Sequence, residues 1–150
     1  MKKILILALI GFTINGVANA GNIPANLKNG DNVAVKLLDT LFNDKEAEKA
    51  FELYGSEVYI QHNPTVADGP RAAIEGLSAF MKKFPDCEYM FKRVLVDGDL
   101  VAIHSHVRLN SEDRGSAVVD IFRIENGRVV EHWDVLQTVP EKPANDNTMF

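Results

Sequence analysis

Hydrophobic positions along the chain change their spacing part-way, and the change marks its elements. From Asn32 onward, Val33, Val35, Leu37, Leu38, Leu41 and Phe42 recur at helical intervals and predict a first helix. Asn43, followed three residues later by Glu46, has the form of a capping box; it predicts a second helix over 44–54, stopped by Gly55. Residues 57–62 read as a short strand ended by Asn63-Pro64. Asp68-Gly69-Pro70 opens a third helix, with Pro70 at its first position, running to 84 before Pro85. Beyond it the period is two. Runs over 87–96, 100–109, 116–124 and 128–137 are β-branched or aromatic. Turn signals separate them at Asp97-Gly98-Asp99, at 110–115 and at Glu125-Asn126-Gly127. Three helices followed by a long antiparallel meander make an α+β fold with the helices on one face of the sheet.

The N-terminus has a different character. Lys2 and Lys3 precede an apolar run, and Val17-Ala18-Asn19-Ala20 supplies a small-residue exit, the order expected of a signal peptide over 1–20. The apolar stretch falls short of the about 20 residues that span a bilayer. Gly21, not cysteine, follows the cut, so no membrane anchor is expected after cleavage. The chain then divides into a lead-in loop at 21–31, one domain at 32–140 and a flexible polar tail at 141–150. The expected location is outside the cytoplasm, periplasmic or secreted.

Composition narrows the chemistry. With 46% hydrophobic and 25% charged residues the chain is globular, which excludes a disordered or fibrous protein. Sixteen basic against 21 acidic residues leave no surplus to neutralise phosphates, so nucleic acid is not an expected partner. Cys87 is the only cysteine, which excludes an internal disulfide and any multi-cysteine metal site. Neither Gly-x-Gly-x-x-Gly nor Gly-x-Ser-x-Gly occurs, and no cofactor is expected.

Register directs attention to one carboxylate. If Ile124 lies opposite Arg128 across the Glu125-Asn126-Gly127 turn, Asp120 lies opposite His132. If Leu109 lies near Ser116, Asp120 falls beside position 105, within one residue, and either His104 or His106 could adjoin it. Asp120 sits inside Val118-Val119-Asp120-Ile121-Phe122, where an unpaired carboxylate is costly. A carboxylate clustered with histidines in an apolar setting can trade protons, which makes the cluster a candidate pocket. Asp134 shares parity with His132, and His62 stands at the end of the first strand; Tyr59, Tyr89 and Phe91 read as core. Val119, Ile121, Val129, Trp133 and Val135 form an outward apolar stripe, which predicts a homodimer.

Two segments carry a resemblance. Tyr59-Ile60-Gln61-His62-Asn63-Pro64 and the stretch from Val119 to Asp134 (Val-Asp-Ile-Phe-Arg-Ile-Glu-Asn-Gly-Arg-Val-Val-Glu-His-Trp-Asp) resemble the SnoaL-like proteins of the NTF2-like superfamily over about 32–140. The resemblance implies a cone-shaped fold, in which a curved sheet wraps three N-terminal helices around a cavity, often dimeric through the sheet. In the polyketide cyclases of this family an aspartate of the matching strand is the general acid/base of an intramolecular aldol closure. That role would fall on Asp120, assisted by His106 or His104, with His132 beside it. His62, Asn63, His104, Phe122 and Asp134 are the expected substrate contacts, and the expected partner is a small apolar or carbonyl-bearing molecule. The family also contains isomerases, dehydratases and binding proteins. A non-catalytic binding module is therefore one alternative, and a His/Asp metal-binding exported protein is another, although no metal ligands are assigned.

Overall fold

The structure, a computed structural model, describes residues 32–150; the expected leader at 1–20 and the lead-in loop at 21–31 lie outside the described residues. Helix α1 (Val33–Leu38) begins where the Asn32 side chain accepts from the Ala34 N–H. It runs on through a wide π-type turn at Asp39–Asn43. Helix α2 (Ala47–Tyr54) follows, then strand β1 (Gly55–Gln61), helix α3 (Pro70–Lys83) and strands β2 (Glu88–Asp97), β3 (Leu100–Arg108), β4 (Ser116–Glu125) and β5 (Arg128–Thr138).

The capping box does not form. Asn43 completes the π turn, and its amide instead exchanges hydrogen bonds of 3.2 Å with the Tyr89 N–H and C=O. A tertiary contact to the start of β2 thus replaces the local cap, and α2 starts only after Lys45, which takes a positive φ.

Strand order in the single sheet is β1-β5-β4-β3-β2. The meander is antiparallel as expected, but β1 crosses to the far edge and pairs in parallel with β5, setting Gln61 opposite His132. The helices cover the concave face. Leu37, Leu41, Phe51, Ile103, Phe122 and Val129 are buried between the layers, and full burial of one such side chain stabilises by about 1.5–3 kcal/mol.

The β4–β5 and β3–β4 hairpins both differ from the expected register. The β4–β5 turn has two central residues, Asn126 and Gly127, both at positive φ, and Glu125 rather than Ile124 faces Arg128. Beyond it the pairing passes from Ile124–Val129 to Arg123–Glu131, leaving Val130 as a bulge. Each change moves the pairing by one residue, so Asp120 faces Asp134 and Phe122 faces His132. A displacement of two keeps every side chain beyond the bulge on its expected face. Val129, on the near side, turns inward and is fully buried, so it leaves the outward stripe.

In the β3–β4 hairpin, Val107 rather than Leu109 faces Ser116. The Asp113 carboxylate accepts from the Leu109 and Gly115 N–H groups at 2.9 Å each, drawing Leu109 into the loop. Asp120 therefore faces Ile103. Odd-numbered β3 positions point inward with it, and His104 and His106 point outward, which corrects the expectation that one of them adjoins Asp120.

Gly115 closes this loop at φ +80°, where a Cβ would overlap the Val107 carbonyl oxygen and lie 2.7 Å from His106 Nε2. Gly127 also has a positive φ (+74°) but open space around it. Gly115→Ala should destabilise by at least ~2 kcal/mol and Gly127→Ala by only about 1 kcal/mol; the unfolding midpoints of the two variants in urea check the ranking.

Candidate active site

The concave face encloses a cavity of about 630 Å³ between the sheet and the helices, within the range of small-molecule sites. Its wall is mostly apolar, with Leu41, Phe42, Leu77, Phe80, Val118 and Phe122 among the lining residues. The polar lining comes chiefly from four strands. Alternation on β1 turns Tyr59 and Gln61 inward, with Asn63 just beyond, while Val58 and Ile60 are exposed. Strand β4 contributes Asp120, β5 contributes His132 and Asp134, and β2 contributes Tyr89.

These groups form one continuous hydrogen-bonded chain. The Tyr89 hydroxyl donates to Asp120 Oδ2. Asp120 Oδ1 lies 3.0 Å from His132 Nε2, and His132 Nδ1 lies 3.0 Å from Gln61 Oε1. Gln61 Nε2 reaches the Tyr59 oxygen at 3.4 Å. Asn63 Nδ2 donates to both oxygens of Asp134, at 2.9 and 2.7 Å. Asp120 is 3% exposed, and Phe122 stacks on the His132 ring with centroids 4.7 Å apart.

The chain fixes where one proton lies. Gln61 Oε1 also accepts from the Asn63 backbone N–H at 2.9 Å, a donor whose identity is unambiguous, so this atom is the amide oxygen. His132 Nδ1 must then donate to it. The other ring nitrogen faces a carboxylate oxygen at 3.0 Å, and two acceptors do not meet at that distance without something between them. A proton therefore sits between His132 Nε2 and Asp120 Oδ1, which reads as an imidazolium facing a carboxylate or a neutral ring facing a carboxylic acid.

Around this pair the phenols stay neutral. Burial, followed by the charge of Asp120, pushes the Tyr59 hydroxyl well above the usual phenol range, and the same causes raise Tyr89 well above it.

Of the expected site residues, the structure brings Asp120, His132, Asn63, Phe122 and Asp134 to the cavity. His62, His104 and His106 are elsewhere. His62 points outward, stacks on Trp133 at 4.7 Å and places Nε2 2.6 Å from Glu131 Oε1. Glu131 also pairs with Arg123, so the outward face compensates its own buried carboxylate. His104 Nδ1 accepts from Arg93 at 3.0 Å, and burial with the Arg93 and Lys92 charges pushes its pKa down. His106 lies under the Phe150 ring, 4.0 Å between centroids, and Nε2 meets the Arg114 carbonyl oxygen. The tail end thus rests on the back of the sheet. Tyr59, Tyr89 and Gln61 were not among the expected site residues. Their signal lay in parity: Tyr59 and Gln61 alternate with Asn63 on one strand face.

Comparison with known proteins follows the same lines. The family described as SnoaL-like domain matches residues 34–132. The chain belongs to the SnoaL-like family. Several solved structures share its NTF2-like fold. A candidate isomerase of the SnoaL-like family from Agrobacterium tumefaciens superposes with a TM-score of 0.59 at 13% identity, covering 70% of this chain and 94% of that one. A candidate polyketide cyclase from Bacillus cereus gives 0.59 at 18% identity over 69% and 71%. A SnoaL-like protein of unknown function from Burkholderia thailandensis gives 0.59 at 16% over 69% and 91%. Among curated proteins none matches.

The raised phenols have a consequence for stability. Between the ordinary value of 10.0 and the higher folded value, the unfolded chain loses a proton that the folded chain keeps. Stability is therefore fully present below pH 10 and falls as pH rises, by up to about 1.4 kcal/mol per pH unit for each phenol. Tyr59→Phe should flatten this alkaline loss, as measured by urea unfolding between about pH 9 and pH 11.

Proposed function

We propose that this SnoaL-like protein is an acid/base catalyst acting next to the carbonyl of a small, largely apolar molecule held in the cavity. The observation that carries the reading is the buried hydrogen bond of 3.0 Å between Asp120 Oδ1 and His132 Nε2 in the wall of a largely apolar cavity. In its ionised form Asp120 removes a proton from carbon beside the carbonyl. His132, still bonded to Gln61, holds the resulting carboxylic acid in place, and Tyr89 keeps Oδ2 oriented. The enolate then has two balanced outcomes. Its carbon bonds to a second carbonyl of the same molecule, whose oxygen takes the proton back, giving a cyclisation. Otherwise, in a molecule whose carbon–carbon double bond conjugates with the enolate, the proton returns to the far carbon and the double bond shifts, giving an isomerisation. Neither route consumes a co-reactant.

Export after loss of residues 1–20 and pairing of two copies through the outer sheet face belong to this proposal. The lysine pair, apolar run and small-residue exit support the first. The outward Val119, Ile121, Trp133 and Val135, the last of them 67% exposed, support the second.

A second reading has an observation of its own. Asp120, His132 and Asp134 each offer a donor atom within 4.8 Å of the others. Because Nδ1 donates to Gln61, Nε2 of the neutral ring is a ligating lone pair, and a divalent cation could take the place of the shared proton. Zinc titration by calorimetry separates the two: saturable binding lost in Asp134→Asn favours the cation.

The acid/base reading is tested by hydrogen exchange. A set of neutral bicyclic ketones is incubated with the protein in heavy water, and loss of the α-proton signal is followed by NMR. Exchange should be accelerated for at least one ketone, and Asp120→Asn should reduce the acceleration by about 10²–10⁴-fold. Equal exchange with and without the Asp120 carboxylate overturns the assignment.

A further inference from the structure

Each donor and acceptor in the cavity can be assigned a use, and two donors are left over. Both Asn63 amide protons can be taken by Asp134, the Tyr89 hydroxyl proton goes to Asp120, and both His132 nitrogens are engaged. The Thr65 hydroxyl donates to Asn63 Oδ1 at 2.6 Å. Gln61 uses one amide N–H on the Tyr59 oxygen and keeps a second. Tyr59 accepts that bond, and its own hydroxyl proton has no acceptor among the described residues. The spare donors are therefore neighbours, with heavy atoms 3.4 Å apart, in a buried wall of the cavity. Buried donors are seldom left idle unless something outside the protein uses them.

Charge in the same wall is one-sided. Glu75, Asp120 and Asp134 line the cavity, His132 is the only group there that can carry positive charge, and no lysine or arginine lines it among the described residues. His132 is already committed to Asp120. An anionic ligand would find repulsion and no free cation.

We propose that the cavity selects a neutral, carbonyl-bearing apolar molecule whose oxygen is held by the Tyr59 hydroxyl, assisted by the spare Gln61 N–H, and that it rejects carboxylates, sulfonates and phosphates. The catalytic part of this inference rests on the acid/base reading above; the binding part does not. When Asp120 removes the neighbouring proton, negative charge develops on the oxygen that Tyr59 and Gln61 hold. Neutral donors fixed in an apolar enclosure stabilise that charge without reorganising, and loss of one such donor typically costs about 10²–10³ in kcat. Burial keeps the Tyr59 proton on its oxygen, so the donor is present throughout the working pH range. Tyr59 is thus assigned as a second catalytic residue, in the same cavity as Asp120.

The test uses a neutral fluorescent ketone, propionyl-dimethylaminonaphthalene, whose emission moves to the red when its carbonyl accepts a hydrogen bond. Full-length protein is titrated with this ketone, with its analogue carrying propyl in place of propionyl, and with anilinonaphthalene sulfonate. The ketone should bind with red-shifted emission, the propyl analogue about tenfold more weakly, and the sulfonate roughly a hundredfold more weakly. Tyr59→Phe, verified as folded by circular dichroism, should shift the bound ketone's emission to the blue and weaken it about tenfold. Equal binding of ketone and propyl analogue by the unaltered protein overturns the inference without recourse to any variant, as does sulfonate binding as tight as the ketone's. The acid/base reading fails separately: bound ketone with red-shifted emission, but no Asp120-dependent exchange, removes the base and leaves the oxygen site standing.

Discussion

A carboxylate taken out of water has to be compensated, and the architecture around Asp120 supplies the compensation from three other strands. Tyr89 arrives from β2 and His132 from β5, and Gln61 on β1 orients His132. None of these contacts is local in sequence. Tyr89 is itself held by Asn43, the residue at the end of the first helical segment, so even the helix boundary serves the position of one hydroxyl. An unpaired buried charge would cost several kcal/mol, and the net stability of a domain this size is about 5–15 kcal/mol. The polar chain is therefore a condition for the sheet as much as a consequence of it.

Two separate polar systems share the sheet. On the concave side the chain from Tyr89 to Tyr59 is neutral at its ends and holds one proton at its centre. On the convex side Arg123 forms an ion pair with Glu131, and His62 bonds to Glu131 while stacking on Trp133. Alternation keeps them apart. Glu131 and His132 are adjacent in sequence, yet one belongs to each system. Apolar side chains make up most of the cavity wall on the concave side, and Asp120 is buried within it. That contrast suits the inner system to chemistry and the outer one to holding strands.

Much of this was legible in the sequence, for identifiable reasons. Period-two runs located the meander, and Pro70 located the start of α3, because both signals are local. The pairing of Asp120 with His132 was expected from a wrong register and is found by another route. The shorter turn and the Val130 bulge each moved the pairing by one residue, and a diagonal neighbour two positions away remains within reach. The same arithmetic failed for His104 and His106, because the estimate there straddled both parities and the Asp113-capped loop settled it outward. The parallel placement of β1 beside β5 was not legible at all. No local pattern reports which strand a distant segment adopts as neighbour, and that crossover is what carries Tyr59 and Gln61 to the site.

The Val130 bulge separates two properties that usually travel together. Inward positions Val129 and His132 lie three apart rather than two, so a hairpin one residue shorter would still present Val129, Glu131 and His132 to their present sides. What it would lose is the extra bend that a bulge introduces into its strand. The chemistry of this wall is thus indifferent to that one-residue change in hairpin length, whereas the depth of the hollow in front of it is not. A form of this chain without Val130 would keep Asp120 and His132 on the same wall and change only how far that wall bends around the cavity.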